Sequence, residues 1–241
     1  MDEPFSRSAL LLGEEAIQTL SRAKVAVFGI GGVGGHCVEA LTRSGIGTLH
    51  LYDDDTVSPS NLNRQIIAVH STLGLPKVQA MAQRIRDINP KCTVQTFPMF
   101  YLPQNADQVD LSQYDYVIDC IDTVSAKLAL IEGCHRAGTP IISAMGAGNK
   151  LDPTAFRVAD ISKTTVCPLA RAMRVQLRKK GISHVKVVFS TEDPIKQELP
   201  PDDPAWAELP EGRNALPGSI CFVPAAAGMV IAGEVIKDLV K

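Results

Sequence analysis

The residues that could carry chemistry fall into a few spaced groups. Gly29, Gly31, Gly32 and Gly34 end the apolar run Lys24-Val-Ala-Val-Phe28, and a helical pattern follows from Val33 to about Ser44. A strand, a glycine turn and a helix together present free backbone N–H groups to a phosphate at the helix N-terminus. Gly29, Gly31 and Gly34 fill the positions of a G-x-G-x-x-G turn, which lets the backbone bend sharply and approach a nucleotide. Glycine-rich turns also serve packing alone, so the following residues matter. Asp53 ends the next apolar run, where a carboxylate can accept hydrogen bonds from ribose hydroxyls or simply form a turn.

Positive charge then separates two kinds of nucleotide chemistry. Arg64 lies in the polar connection 54–75, which also holds Asp54, Asp55, Asn61 and Gln65, and Lys77 falls in the first turn of the next helix. A cation there opposes the helix dipole. Either Lys77 is solvated and tolerates that cost, or it and Arg64 converge on a polyphosphate. A nicotinamide dehydrogenase needs only a pyrophosphate cradle, whereas nucleotidyl transfer needs cations for charge that builds on the leaving phosphates. Asp122 follows a later strand, in the crevice where such sheets bind ligands. It suits either a helix N-cap or a magnesium ligand beside a triphosphate.

The elements that must position these groups can be read from periodicity. A helix is expected over residues 8–22, with Ser8 placed to cap it and a stripe of Leu11, Leu12, Ala16, Ile17 and Leu20. Strands are expected at Lys24–Phe28, Thr48–Asp53, Thr93–Phe97, Tyr116–Asp119 and Ile141–Ala144. Helices fall between them, beginning near Val33, Pro76 and Thr123. That alternation predicts an α/β fold: a Rossmann-like, doubly wound, mainly parallel sheet. Beyond Gly148 the rhythm changes to a C-terminal extension of mixed strands and helices. Strands are expected at Phe156–Ile161 and His184–Ser190, a basic helix at about Pro168–Lys180 and a last helix at about Ala225–Leu239. The proline-rich stretch 191–218 reads as a long loop. The chain thus divides into an N-terminal helix (1–22), a nucleotide-binding core (23–150) and a substrate-side extension (151–241) of one domain, with no internal repeat.

At 241 residues, 45% hydrophobic and 21% charged, the composition is that of an ordinary globular domain, and its net charge of −2 excludes a global positive field for nucleic acid. No charged and apolar leader opens the chain and no apolar run reaches a membrane span, so a cytoplasmic protein without a transmembrane segment is expected. The six cysteines include no C-x-x-C pair, so no zinc site and no disulfide scaffold are expected. Cys221 remains as a candidate thiol or, as is more usual for a lone cysteine, a small buried hydrophobe. Arg171, Arg174, Arg178, Lys179 and Lys180 cluster on the basic helix, with the three arginines on one face. They form either a solvated face or the only local patch able to follow a phosphate backbone.

Four of these motifs stand in register. Gly29-x-Gly-Gly-x-Gly34, Asp53-Asp-Asp-Thr-Val-Ser-x-Ser-Asn-Leu-Asn-Arg-Gln65, Gly74-x-Pro-Lys77 and Asp119-Cys-Ile-Asp122 together resemble the ThiF/MoeB/HesA group of ubiquitin-activating-type adenylating enzymes. The resemblance implies ATP and Mg2+ as cofactors. Gly31 would meet the nucleotide, Asp53 the ribose, and Asn61, Arg64, Gln65 and Lys77 the phosphates, with Gly29, Gly32, Gly34 and Asp55 in the same binding set. Asp122 would hold magnesium. Arg7 would reach into a partner's site, implying a homodimer. Asp152-Pro-Thr, Val158-Ala-Asp-Ile-Ser-Lys-Thr, Cys167-Pro-Leu-Ala and Val187-Val-Phe-Ser-Thr-Glu192 are similar to the tRNA threonylcarbamoyladenosine dehydratase branch, although Cys167 replaces the more usual acid before Pro168. That branch implies a tRNA substrate, adenylation of its carboxylate and ring closure. The alternative is activation of the C-terminal Gly-Gly of a sulfur-carrier protein, with a sulfur-transfer partner. A nicotinamide oxidoreductase and a non-catalytic nucleotide-binding module are the remaining readings.

Overall fold

The computed structural model describes residues 4–196 and 217–241. Strand β1 (Lys24–Phe28) is an interior strand of a seven-stranded sheet. It pairs in parallel with β2 (Thr48–Tyr52) on one side and β4 (Tyr116–Asp119) on the other, so Val25 faces Leu49 and Tyr116 across the two ladders. With β3 (Thr93–Phe97), β5 (Ile141–Ala144), β6 (Phe156–Asp160) and β7 (Lys186–Ser190), the order is β3-β2-β1-β4-β5-β7-β6. Strands are added outward from β1 through β2 to β3 and then, on the other side, from β4 to β5, so the loops after β1 and β4 part at this switch point and leave a crevice. All pairs are parallel except β6 with β7, so the extension beyond residue 150 adds one parallel strand and an antiparallel edge to the same sheet.

Helices cover both faces, which is why β1 reads as an unbroken apolar run rather than an alternating one. Val25 and Val27 point to the layer made by α3 (Gly32–Arg43), α4 (Lys77–Ile88) and α7 (Phe222–Leu239), where Cys37, Val38, Met81, Ile85, Ala227 and Ile231 are buried. Ala26 and Phe28 point the other way, onto Ala129, Leu130 and Cys134 of α5 (Val124–Ala137). Helix α6 (Pro168–Lys179) packs beside α5 through Met173 and Leu177 against Ile131.

Three sequence expectations change. The helix expected over 8–22 is two helices, α1 (Ser6–Leu12) and α2 (Glu14–Arg22), broken at Gly13 with φ +87°. Ser8 therefore lies inside α1 and caps nothing, while Leu10 and Leu11 are 76% and 88% exposed. Of the predicted stripe only Ala16 and Leu20 reach the core. The last helix starts at Phe222 rather than Ala225, because Pro224 is accommodated in its first turn. Cys221, expected as a buried hydrophobe, is exposed just before it. Most of the proline-rich stretch, 197–216, lies outside the described residues. Among the described residues no helix is long and apolar enough to cross a membrane.

Candidate active site

A cavity of about 590 Å³ opens at the carboxyl ends of β1, β2, β4 and β5. Its walls include Gly29, Gly31, Gly32, Asp53, Asp55, Asn61, Arg64, Gln65, Lys77 and Asp122, so nearly the whole binding set expected from sequence converges there.

The glycine turn divides into residues held by the fold and a residue held open. Gly29 has φ +90°, and a Cβ on it would stand 2.7 Å from the Cys120 carbonyl oxygen. A Cβ on Gly34 would stand 1.8 Å from the Gly29 carbonyl oxygen, so the first helical turn lies directly on the loop and Gly34 is a packing residue, outside the cavity lining. Gly31 differs: its φ is −89°, and a Cβ would meet only the Gln65 Nε2, at 3.9 Å. Neither strain nor protein packing excludes a side chain at Gly31, and the space it leaves belongs to the cavity. Gly31 is also the N-cap of α3, with no side-chain cap and no acid in the first turn, so the helix presents uncompensated N–H groups and its positive dipole end to the cavity.

Asp53 directly follows β2, which ends one residue earlier than expected, and accepts hydrogen bonds from the backbone N–H of Ile30 at 2.6 Å and of Asp55 at 3.0 Å. Burial pushes its carboxyl above the ordinary range, against the opposing pull of Lys77. Lys77 is 6% exposed, which removes the solvated reading of this residue. Its Nζ lies 2.5 Å from Asp55 Oδ2 and 3.9 Å from Asp53 Oδ1. A buried ammonium at the first position of α4 is thus balanced by carboxylates on the cavity wall.

The connection from β2 to α4 is built by Asn61. Its backbone N–H donates to Ser58 and its side-chain oxygen accepts from the Ser58 N–H, closing a short turn at Pro59–Asn61. The Asn61 carbonyl then accepts the N–H groups of Arg64 and Gln65, which points both side chains at the cavity. Arg64 Nη1 donates to the Ser60 carbonyl and Asn63 Oδ1, at 2.8 and 2.9 Å. Gln65 is buried, and its Oε1 has no partner among the described residues.

Asp122 lies on the wall after β4, and Thr123 Oγ1 donates to its Oδ1 at 3.4 Å. The cap position of α5 falls on Thr123, so the N-cap reading of Asp122 is replaced by a place in the cavity. Beneath it is an ion pair that the sequence did not single out. Lys127 and Asp119 are both fully buried, with Nζ 2.9 Å from Oδ2, and Ser143 Oγ donates to the same oxygen at 2.6 Å. Lys127 also donates to the Ile121 carbonyl at 3.0 Å, while Asp119 Oδ1 accepts the Ile121 N–H at 3.1 Å. The pair therefore holds both ends of the residue before Asp122. A lysine inside a helix ordinarily reads as solvent-facing; the available signal was its place on the apolar face with Leu130, Ile131 and Cys134. The sequence also did not single out the aromatic wall, where Phe28 stacks on Tyr52 at 4.2 Å and meets Tyr101 edge-on at 5.1 Å.

Two expected groups lie elsewhere. Arg7 is exposed on α1 and does not line the cavity of its own chain. On α6, Arg171, Arg178, Lys179 and Lys180 are exposed, but Arg174 turns inward and donates to the Thr164 carbonyl at 2.9 Å, and Lys180 pairs with Glu132 at 2.6 Å. The single arginine face read from sequence is corrected to this extent: Arg174 staples the preceding turn to the helix.

Residues 5–241 match the ThiF family. Over 246 residues the chain is 45% identical to a tRNA threonylcarbamoyladenosine dehydratase of Bacillus subtilis, covering 98% of this chain and 94% of that one. It superposes on the crystal structure of the Escherichia coli tRNA N6-threonylcarbamoyladenosine dehydratase in complex with ATP with a TM-score of 0.86 at 38% identity, covering 98% and 93% of the two chains. The same enzyme in complex with AMP gives the same TM-score of 0.86 and the same coverage. The chain therefore belongs to the ThiF family and, within it, groups with the tRNA threonylcarbamoyladenosine dehydratases.

Proposed function

We propose that this protein uses ATP to adenylate the carboxylate of threonylcarbamoyladenosine in tRNA, beside the anticodon, and lets the activated group close into a ring. The observation that carries the reading is the convergence in one cavity of an uncapped helix N-terminus, the buried Lys77 ammonium and Arg64, in a chain so similar along its length to dehydratases. An uncapped α3 and the room at Gly31 suit the nucleotide phosphates, Asp53 suits the ribose, and Asn61, Arg64, Gln65 and Lys77 suit the polyphosphate. Gln65 joins this set through its place on the cavity wall beside Gly31, where its Nε2 can donate to a phosphate oxygen.

In the first step a substrate carboxylate oxygen bonds to the α-phosphorus of ATP and the bond to pyrophosphate breaks. Lys77 and Arg64 disperse the charge on the departing phosphates. In the second step the carbamoyl group of the same nucleoside attacks the acyl-adenylate, the ring closes and AMP leaves. Because this attack is intramolecular it needs no protein nucleophile, and the exposed Cys221 is given no part in it. The nucleoside loses one water, whose atoms end in AMP and pyrophosphate.

Among the described residues no three His, Cys, Asp or Glu side chains are grouped to hold a metal ion by themselves. Magnesium needs only one or two carboxylates together with substrate phosphates, and Asp122 on the cavity wall fits that demand. There it would supply further neutralisation of the phosphates. A second copy of the chain is part of the reading: Arg7 shares α1 with the exposed Leu10 and Leu11, an apolar face for a partner to cover, and Arg7 is assigned to that partner's cavity.

The test is AMP release from ATP and magnesium with modified and unmodified tRNA, followed by mass spectrometry of the digested nucleosides. AMP with modified tRNA only, together with loss of one water, is expected. Lys77→Met and Arg64→Ala should each slow it by about 10²-fold or more. ATP binding without AMP or mass change would overturn the reading. ATP–pyrophosphate exchange only with a Gly-Gly-ending carrier protein would replace it.

A further inference from the structure

Charge along the chain is uneven in a way that the nucleotide site does not use. The protein as a whole carries a net charge of −2, yet no acidic residue occurs between Asp160 and Glu192. Most of the basic residues in that interval lie on α6, and the structure sorts them. Arg174 and Lys180 are taken up by Thr164 and Glu132. Arg171, Arg178 and Lys179 are exposed, and none makes an ion pair among the described residues. The helix dipole accounts for cations near the last turn, Arg178 and Lys179, but gives no reason for Arg171, which sits just past the first turn.

The position of α6 supplies the missing reason. Its second residue, Leu169, is part of the cavity wall, so the helix begins at the rim of the site and runs outward for about 18 Å. Arg171 stands close to the rim, and Arg178 follows about 10 Å farther out along the axis. Arg174 anchors the rim end by bonding to the turn before it. Exposed Val175, between the two arginines, leaves the outward face free of acid.

We infer that α6 is the track for the phosphate backbone of the tRNA substrate, with Arg171, Arg178 and Lys179 meeting phosphates near the modified adenosine whose carboxylate enters the cavity. The inference rests on the dehydratase reading and adds to it where the polynucleotide lies. A cavity of about 590 Å³ has room for a nucleoside and none for a folded tRNA, so the neighbours of the modified nucleoside must leave across the rim. In this part of the rim an unpaired row of cations leads away from the opening. Phosphate contacts of this kind position the substrate without reading sequence.

The experiment compares the unsubstituted protein, the triple variant Arg171→Ala/Arg178→Ala/Lys179→Ala, and a control of equal charge loss, Arg22→Ala/Arg86→Ala/Lys91→Ala, whose residues are exposed elsewhere. Affinity for modified tRNA is measured by fluorescence anisotropy across a salt series, ATP affinity by calorimetry, and AMP release by steady-state kinetics. The α6 variant is expected to bind tRNA about tenfold more weakly or worse and to lose about two to three units of salt slope. Its KM for tRNA should rise, with kcat at saturation and ATP affinity within about twofold of the unsubstituted protein. The control should stay within about twofold throughout. An α6 variant with unchanged affinity and slope, or a control weakened equally, overturns the track while leaving AMP release and its Lys77 dependence intact. Absence of tRNA-dependent AMP release by the unsubstituted protein removes the dehydratase reading, and the track's occupant with it.

Discussion

The cavity floor and helix α6 both carry cations, but they hold them in opposite ways. On the floor, Lys77 is buried against Asp55, and Lys127 is buried against Asp119 one layer deeper. Each is fixed by a carboxylate, and the glycine turn beside them leaves no room for adjustment at Gly34. On α6, Arg171, Arg178 and Lys179 stand in water without carboxylate partners. Buried pairs give definite geometry to a reaction that must place a carboxylate in line with one phosphorus atom. Exposed cations give attraction to a long polyanion whose register is set elsewhere. The same side-chain type therefore serves placement in one region and capture in the other, and the two regions should respond differently to substitution.

The largest effect is expected at Lys127. Lys127→Met leaves Asp119 charged, buried and without its cation, which should cost about 3–5 kcal/mol in denaturant unfolding. The double variant Lys127→Met/Asp119→Asn should recover much of that stability. If the single variant unfolded like the parent, the floor would not be organised by this pair. AMP formation by the double variant, measured with modified tRNA, should remain low even where folding is restored, because Ile121 and Asp122 lose their tether.

The glycine turn offers a sharper contrast within a few residues. Gly34→Ala puts a methyl group into the Gly29 carbonyl and should cost about 1–3 kcal/mol or more, seen as a lower melting temperature. Gly31→Ala has open space, so melting without nucleotide should barely change, while calorimetry should show weaker ATP binding. Equal thermal losses in the two variants would refute the division of the turn into packing and ligand-facing glycines.

A smaller, pH-dependent effect belongs to the sheet outside the cavity. His50 on β2 shares a hydrogen bond of 2.9 Å with the Tyr114 hydroxyl, which in turn contacts the Tyr52 hydroxyl at 2.6 Å. Burial lowers the His50 pKa to about 4 from an ordinary value of 6.5. The unfolded chain then binds more protons than the native one between those values. Stability should fall as pH drops through that window, by at most about 3 kcal/mol, and level off below it. Unfolding midpoints across pH 4–7 should show the slope, and His50→Gln should flatten it.

What could be read before any tertiary structure was whatever depends on near neighbours in the chain. The run from Lys24 to Phe28 and the glycines after it imply strand, turn and helix through local sterics, and the alternation that follows implies the parallel sheet. Lys77 and Arg64 were legible because their charges make sense only when opposed by something anionic. Folding decided the rest. Lys127 is buried because α5 turns that face onto β1 and β4, and periodicity does not say that a lysine on an apolar stripe meets an aspartate. Arg174 and Arg171 look alike in sequence; Arg174 points inward because the Thr164 turn passes beneath it. Gly13 divides a helix whose stripe reads as continuous, and Cys221 ends up exposed where a lone cysteine is usually buried. Local sequence sets backbone preference and charge, whereas burial is a property of what the rest of the chain places alongside, and only the assembled layers determine it.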